Sequence, residues 1–274
     1  MAARTPLPPF RLNIEECVRF IARDPAWPRK LGLGFLWSLL SFTIIGALFV
    51  QGYMLLLMER VARGDGSPLP EWADYGGLLR WGWRPFVTNF VYLLPVLLIG
   101  ILSFGLVIAL ISAATTRSGA NLGPNPLVFS PLALLVITPL GLLLIPLSFL
   151  IGLLISAAQA QLVLHERLGA AFDLARSWRS SAAIWGQYAI AVALNFGVGL
   201  LLEGLSAGTR FTFNGSGGRH FWLEPVFILA IIFTLFLTAL RTIVAFYVQL
   251  CFSHLLGQLC WYDRQATARG TDGG

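Results

Sequence analysis

The sequence predicts an all-α membrane protein, a polytopic bundle of transmembrane helices. Hydrophobic residues make up 57% of the 274 positions and charged residues only 12%, whereas a soluble domain has about half apolar and about a quarter charged residues. The apolar residues also form five long, almost uncharged runs, and about 18 or more such residues in a row indicate a membrane span. The runs are 31–58, 86–112, 131–164, 183–204 and 223–253.

The composition of the runs favours helices over strands. In hydrocarbon every backbone N–H and C=O must be bonded within the protein, so a span is either a helix or part of a closed barrel. The runs lack the period-two alternation of a barrel strand and are rich in Leu, Ile and Ala. We therefore divide the chain into an N-terminal amphipathic segment at 1–30, a helical bundle at 31–253 and a polar C-terminal tail at 254–274.

The first run has two interpretations. Residues 31–58 are long enough for about 42 Å of helix. This length suits one tilted crossing, and it also suits a hairpin that enters and leaves the membrane on the same side. Apart from Arg241, five single crossings place equal numbers of Lys and Arg on the two sides, whereas a hairpin places 15 on one side and 3 on the other. The positive-inside rule favours the hairpin, and the single crossing is the commoner structure. Both stay open.

Three segments predict amphipathic helices at the membrane surface: the N-terminal segment, 71–85 and 166–182. In the second, Trp72, Tyr75 and Trp83 share one stripe with Leu79 and Phe86. Each segment ends in a tryptophan close to an arginine, a pairing typical of the headgroup region. The predicted anchors are Trp72, Tyr75, Trp27 with Arg29, Trp83 with Arg84, and Trp178 with Arg179. The expected partner is the lipid bilayer, and a membrane protein partner or a second copy of the chain is the alternative.

Several short motifs resemble a known family. They are Gly52-Tyr53 at the end of an apolar stretch, the basic loop RVARGD, Leu69-Pro70-Glu71-Trp72, and Tyr92 to Pro95. The stretch RDPAWPRKLGLG and, more weakly, LGAAFDLARSWRSSAAIWGQYAIAV are also similar. Together they resemble domain-of-unknown-function family 4013, whose members are polytopic membrane proteins of bacteria and archaea. The resemblance implies a membrane architecture and no catalytic residues.

The residue types of an enzyme or a metal site are not grouped along the chain. Histidine occurs at His165, His220 and His254, and cysteine at Cys17, Cys251 and Cys260, without a CxxC or a metal-ligand spacing. We therefore expect no enzymatic activity, no cofactor and no metal. The net charge is +6, but no dense Lys/Arg cluster with exposed aromatic residues is present, so nucleic acid is not an expected partner.

Arg241 is the only charge well inside an apolar run. An arginine at the centre of a membrane helix costs about 2.5 to 3.5 kcal/mol, so it needs a partner or water. The candidate partners are Asn89, Gln51 and Asn195. Two interpretations stay open: the amides satisfy a structural arginine, or the group binds a ligand or ion.

The expected localisation is the cytoplasmic membrane of a prokaryote, with several crossings. The small size and the absence of a recognisable active site predict a scaffold or accessory subunit of a larger membrane assembly. The alternative is a small transporter or channel-like protein with a polar interior around Arg241.

Overall fold

The structure is a computed structural model that describes residues 13–65, 69–118, 131–173, 185–214 and 225–271. Every regular element in these ranges is a helix, which confirms the all-α fold class. In chain order the elements are α1 (Ile14–Ala22), α2 (Trp27–Leu39), a 3₁₀ turn (Leu40–Phe42), α3 (Ile44–Arg63), α4 (Tyr75–Ser118), α5 (Pro131–His165), α6 (Leu168–Ala171), α7 (Trp185–Asn214) and α8 (Pro225–Thr271).

The first apolar run folds as two helices. Thr43 has an extended backbone between the 3₁₀ turn and α3. Its hydroxyl accepts a hydrogen bond from the N–H of Gly46 at 3.1 Å, so it caps the new helix. The run therefore reverses direction at residues 40–43, and α2 packs against α3 through the Trp37 and Phe49 rings, 4.2 Å apart.

Two predicted boundaries fall within continuous helices. The segment 71–85 does not form a separate surface helix, because α4 begins at Tyr75 and continues through Ser118. Asp74 fixes this start by accepting the N–H of Gly77 at 2.8 Å. Residues 254–271 of the predicted tail continue α8, which runs to Thr271 and buries His254 and Cys260.

The long helices of the described ranges, α3, α4, α5, α7 and α8, pack side by side in parallel or antiparallel pairs. The contacts between α3 and α4 are antiparallel, with Gly52 against the Leu78 carbonyl and Gly82 against the Leu48 carbonyl. The packing of the other long helices is mixed: α5 is antiparallel to α4, α7 is antiparallel to α5, and α8 is parallel to both α5 and α3. The starts of α4 and α7 and the ends of α3, α5 and α8 therefore lie in one part of the molecule, which we call the inner section.

The opposite part, the outer section, is apolar and exposed. On α4 most large side chains from Phe90 to Ile108 face outward, and Leu142 to Leu150 on α5 and Leu229 to Ile243 on α8 do the same. Four described helices are long and apolar enough to cross a membrane: α3, α4, α5 and α8. In α7 the apolar stretch Gly186–Leu202 is shorter. These helices indicate a membrane protein, because hydrocarbon is the solvent that suits such a surface.

The core lies in the inner section. One buried cluster joins α3, α5 and α8 around Met58, Leu162 and Leu259. A second joins α1, α3 and α8 around Ile21, Tyr53 and Leu250. The amphipathic helix α1 docks here through its apolar side, with Phe20 stacked on His254 at 4.3 Å. Its polar side carries Glu15 and Arg19, four residues apart on the helix, whose charged atoms are 2.7 Å apart.

Candidate functional site

A buried ion cluster joins the start of α2 to the segment after α3. The Lys30 ammonium lies 2.8 Å from the Asp24 carboxylate and 2.7 Å from Glu71. It also donates to the Leu69 carbonyl at 2.7 Å. Lys30 and Asp24 are almost fully buried, whereas Glu71 is exposed. A buried charge is tolerated only with such close partners, so Lys30 fixes the position of the segment 69–72.

Tyr53 and Trp72 complete this cluster on its apolar side. Their rings stack at 4.1 Å, with an angle of 8° between the planes. The Tyr53 hydroxyl donates to the Pro70 carbonyl at 3.0 Å, and the Trp72 indole N–H donates to the Lys30 carbonyl at 3.1 Å. We call Asp24, Lys30, Tyr53 and Leu69-Pro70-Glu71-Trp72 the motif cluster, because the motifs quoted above meet here.

The electrostatics of the buried pair favour its charged form. Burial alone would raise the pKa of Asp24, but the hydrogen bonds from Lys30 and from the Ala26 N–H outweigh it, so the pKa is lowered. Burial alone would lower the pKa of Lys30. The hydrogen bonds and charges of Asp24 and Glu71 outweigh burial, so the pKa of Lys30 is raised above its ordinary value. The sequence carries one signal for this site, since Lys30 is the only lysine among 19 basic residues.

A second site is a cavity that five helices surround. Its volume is about 200 Å³, whereas a single water needs about 10 to 15 Å³. We call it the amide cavity, because carboxamide side chains from α3, α4, α5, α7 and α8 line it. These are Gln51, Asn89, Gln159, Asn195 and Gln249, with Ser156 and Ser253 beside them and Met54, Ile155, Val192, Phe196 and Phe252 as apolar lining.

The amide cavity is uncharged and lies close to the apolar outer section. No charged side chain is among its lining residues, all of which belong to the part of the chain that the structure describes. Asn89 lies five residues beyond Arg84, or about 7.5 Å along α4, and immediately before the exposed Phe90. Its carboxamide oxygen accepts from Gln159 at 3.2 Å. The cavity therefore offers amide donors and acceptors beside apolar surface.

The structure brings together three of the four residues predicted for the polar site. Gln51, Asn89 and Asn195 all line the amide cavity, and Arg241 does not. Arg241 lies on α8 two turns before Gln249, toward the outer section, and is half-buried. The sequence predicted that these amides meet, because a carboxamide in an apolar helix is unfavourable in lipid unless it has a partner. The role of Arg241 at the centre of the polar site stays a prediction.

The predicted interface residues have different environments. Trp27, Arg29, Tyr75 and Trp83 are exposed, whereas the guanidinium of Arg84 lies over the Trp81 ring at 5.5 Å. Trp72 differs from the prediction, because it is 3% exposed and stacks on Tyr53 instead of facing outward. It precedes the start of α4, so the helical stripe inferred for it does not apply. Trp178 and Arg179 lie outside the described residues.

The residues of the described ranges form no metal-binding group. Among those residues, no three His, Cys, Asp or Glu side chains are close enough to hold a metal ion. His254 of α8 packs against Phe20 of α1 and contacts the Gln258 carboxamide at 3.2 Å, while His220 is outside the described ranges. The expectation of a chain without enzymatic activity, cofactor or metal stays a prediction.

Comparison with known proteins gives one match. A family model described as "Protein of unknown function (DUF4013)" matches residues 35–209, which is well over half of the chain. No curated protein and no solved structure matches. The matched range contains Gly52, Tyr53, Leu69 to Trp72 and most of the helices around the amide cavity. The chain therefore belongs to the DUF4013 family, as its motifs had indicated.

Proposed function

We propose that the chain is a multi-pass protein of a prokaryotic cytoplasmic membrane that binds a small uncharged polar solute in the amide cavity, as a transporter or channel-like protein. The observation that carries the proposal is the convergence of five carboxamides from five helices on one cavity. Amide groups are costly beside apolar surface unless they are bonded. A cavity that keeps several of them together offers their hydrogen bonds to a solute.

The lining favours one chemical class of solute. A charged solute lacks a counter-charge in the cavity, so its desolvation would not be offset. A small amide or polyol would exchange its hydrogen bonds with water for bonds to Asn89, Asn195 and Gln249, with its carbon atoms against Phe196 or Phe252. The exchange is favourable because both partners donate and accept.

Permeation of reconstituted liposomes tests this proposal. Glycerol, urea and acetamide are the probes, and light scattering reports the volume change after each is added outside. We expect the protein to accelerate entry of at least one probe, and Asn195→Phe, which fills the cavity, to reduce this acceleration at least tenfold. The control is Ile190→Phe on the exposed side of the same helix. Equal rates with and without protein, together with no thermal stabilisation by any probe, would reject the proposal.

The second candidate function is the scaffold or accessory subunit. One observation favours it: Gly197 and Gly204 are seven residues apart on α7, and a Cβ at either would have no neighbour within 4 Å. Small residues on one face let a second helix approach closely in a membrane. Purification from native membranes separates the candidates, because a subunit should keep a stoichiometric partner that Gly197→Leu releases, while Gly32→Leu on α2 should leave any partner bound.

A further inference from the structure

We propose that α2 and α3 form a re-entrant hairpin that enters one leaflet of the membrane from the inner side and returns to it. The chain then crosses the membrane with α4, α5, α7 and α8, and α3 does not cross, although its length and composition would allow it. This inference concerns how the chain sits in lipid and is independent of the ligand of the amide cavity.

The two ends of the hairpin are in direct contact. Lys30, near the start of α2, is bonded to the Leu69 carbonyl at 2.7 Å and to Glu71 at 2.7 Å, both in the segment that follows α3. Two groups in contact cannot lie on opposite sides of a hydrocarbon core of about 30 Å. The segments before α2 and after α3 are therefore on the same side.

The level of the motif cluster limits how deep the hairpin can reach. The segment 69–72 lies beside Tyr53, the tenth of the 20 residues of α3, through the Pro70 hydrogen bond and the Trp72 ring. Glu71 at this level has a side chain that is 70% exposed, and an exposed carboxylate requires water. From Tyr53 to Ile44 is nine residues, or about 13.5 Å of helix. This is less than half of the hydrocarbon core, so the tip stays within one leaflet.

The hairpin tip, residues 36–45, has the surface of a lipid-inserted segment. Its large apolar side chains point outward, and Phe42 is 88% exposed. The exposed residues are Leu36, Leu39, Leu40, Phe42, Ile44 and Ile45. A contiguous apolar patch of this kind, free of charge, suits acyl chains.

The polar groups of the turn are bonded within the hairpin. The Ser41 hydroxyl donates to the Trp37 carbonyl at 3.1 Å, and the Thr43 hydroxyl donates to the Leu40 carbonyl at 2.6 Å. The Thr43 N–H donates to the same carbonyl at 2.8 Å. Hydrocarbon requires such internal bonds, whereas a turn exposed to water does not need them.

The hairpin tip is also continuous with the lipid-facing surface of α4. Gly52 faces Leu78 and Gly82 faces Leu48 on antiparallel helices, which places Ile44 beside Phe86. The long exposed apolar stretch of α4 from Phe90 to Ile108 begins one turn further on. With the hairpin, 15 basic residues lie on the inner side and 3 on the outer side, Arg241 excepted. The positive-inside rule then places the inner side in the cytoplasm.

Single introduced cysteines test the hairpin in membranes. The native Cys17 and Cys260 are buried and Cys251 is half-buried, so the protein without an introduced cysteine supplies the labelling background. The test variants are Arg29→Cys before the hairpin, Phe42→Cys at its tip and Asp65→Cys after it, all at exposed positions. We expect an impermeant maleimide to label positions 29 and 65 from the same side and position 42 from neither. A bimane at position 42 should be quenched by nitroxides on the lipid acyl chains more than by those at the headgroups, because the tip lies about 13.5 Å below the level of Tyr53.

Each other outcome overturns the proposal. Labelling of positions 29 and 65 from opposite sides would mean that α3 crosses. Labelling of position 42 by the impermeant reagent would place the tip in water, and protection of position 42 without lipid quenching would mean that a protein covers it. Where a variant elutes as an aggregate, Ser41→Cys replaces Phe42→Cys and Glu15→Cys replaces Arg29→Cys, since both positions are exposed.

Discussion

Gly52 of α3 and Gly82 of α4 face each other where the two helices cross. A Cβ atom built on either glycine would lie 3.0 Å from the backbone nitrogen of the other and would collide with the carbonyl of Leu78 or Leu48. The helices can approach this closely only because neither residue has a side chain. The glycine of the Gly52-Tyr53 motif therefore sets the distance between the hairpin and the first crossing helix.

Replacing Gly52 with alanine should destabilise the protein. The new methyl group meets backbone atoms that cannot move aside, and overpacking of this kind costs about 1 to 3 kcal/mol. The free energy of unfolding in detergent measures the effect. Gly32→Ala on α2 is the matched control, because nothing lies within 4 Å of its Cβ position and alanine favours a helix. Equal stability of the two variants would contradict the packing argument.

Replacing Lys30 with methionine should be more damaging than any exposed charge substitution. The change leaves the buried Asp24 carboxylate without its ammonium, and removal of one partner from a buried ion pair costs about 3 to 5 kcal/mol. Arg29→Met, at the exposed neighbouring position, should cost less than about 1 kcal/mol. The double variant Lys30→Met with Asp24→Leu should recover part of the loss. If it does not, the pair has a role other than mutual neutralisation.

The motif cluster should also make the free energy of unfolding depend on pH. Stability should be constant at intermediate pH and fall at both acid and alkaline pH, which we call the acid limb and the alkaline limb. The lowered pKa of Asp24 stabilises the fold above the ordinary aspartate pKa of about 3.9, and this contribution is lost as the pH falls through the folded-state value. The raised pKa of Lys30 contributes stability below about 10.4, which is lost as the pH rises through the folded-state value. Unfolding measured across this range should show both limbs. Asp24→Asn should flatten the acid limb, while Asp65→Asn on the exposed loop should leave it unchanged.

The hydrogen bond between Gln159 and Asn89 should show coupling in a double-mutant cycle. Each single change to leucine leaves one amide without this partner beside the cavity, at a cost of about 1 to 3 kcal/mol. The double change removes both polar groups, so its cost should be smaller than the sum by about 0.6 kcal/mol or more. Thermal unfolding of the four proteins in one detergent measures the cycle. Strict additivity would mean that water replaces the lost partner equally well.

Several features of the fold could be predicted from residues that are close together in the sequence. The lengths and apolar content of the runs predicted the helices α4, α5, α7 and α8, because hydrocarbon leaves the backbone few alternatives. The pairing of Glu15 with Arg19 followed from helical spacing. The two interpretations of residues 31–58 both followed from length, and the choice between them required contacts that are distant along the chain.

The sequence by itself determined the class of protein and the amides that needed partners. The tertiary structure decided what these residues do. Trp72 had the spacing of a surface stripe, yet Asp74 starts α4 after it and Tyr53 covers its ring. Lys30 and Glu71 are 41 positions apart in the chain, and only the return of the hairpin brings their charged atoms to 2.7 Å. Hydrophobic periodicity indicates the faces of one helix at a time. An ion cluster or a shared cavity depends on how several helices cross, and a local sequence pattern does not contain this information.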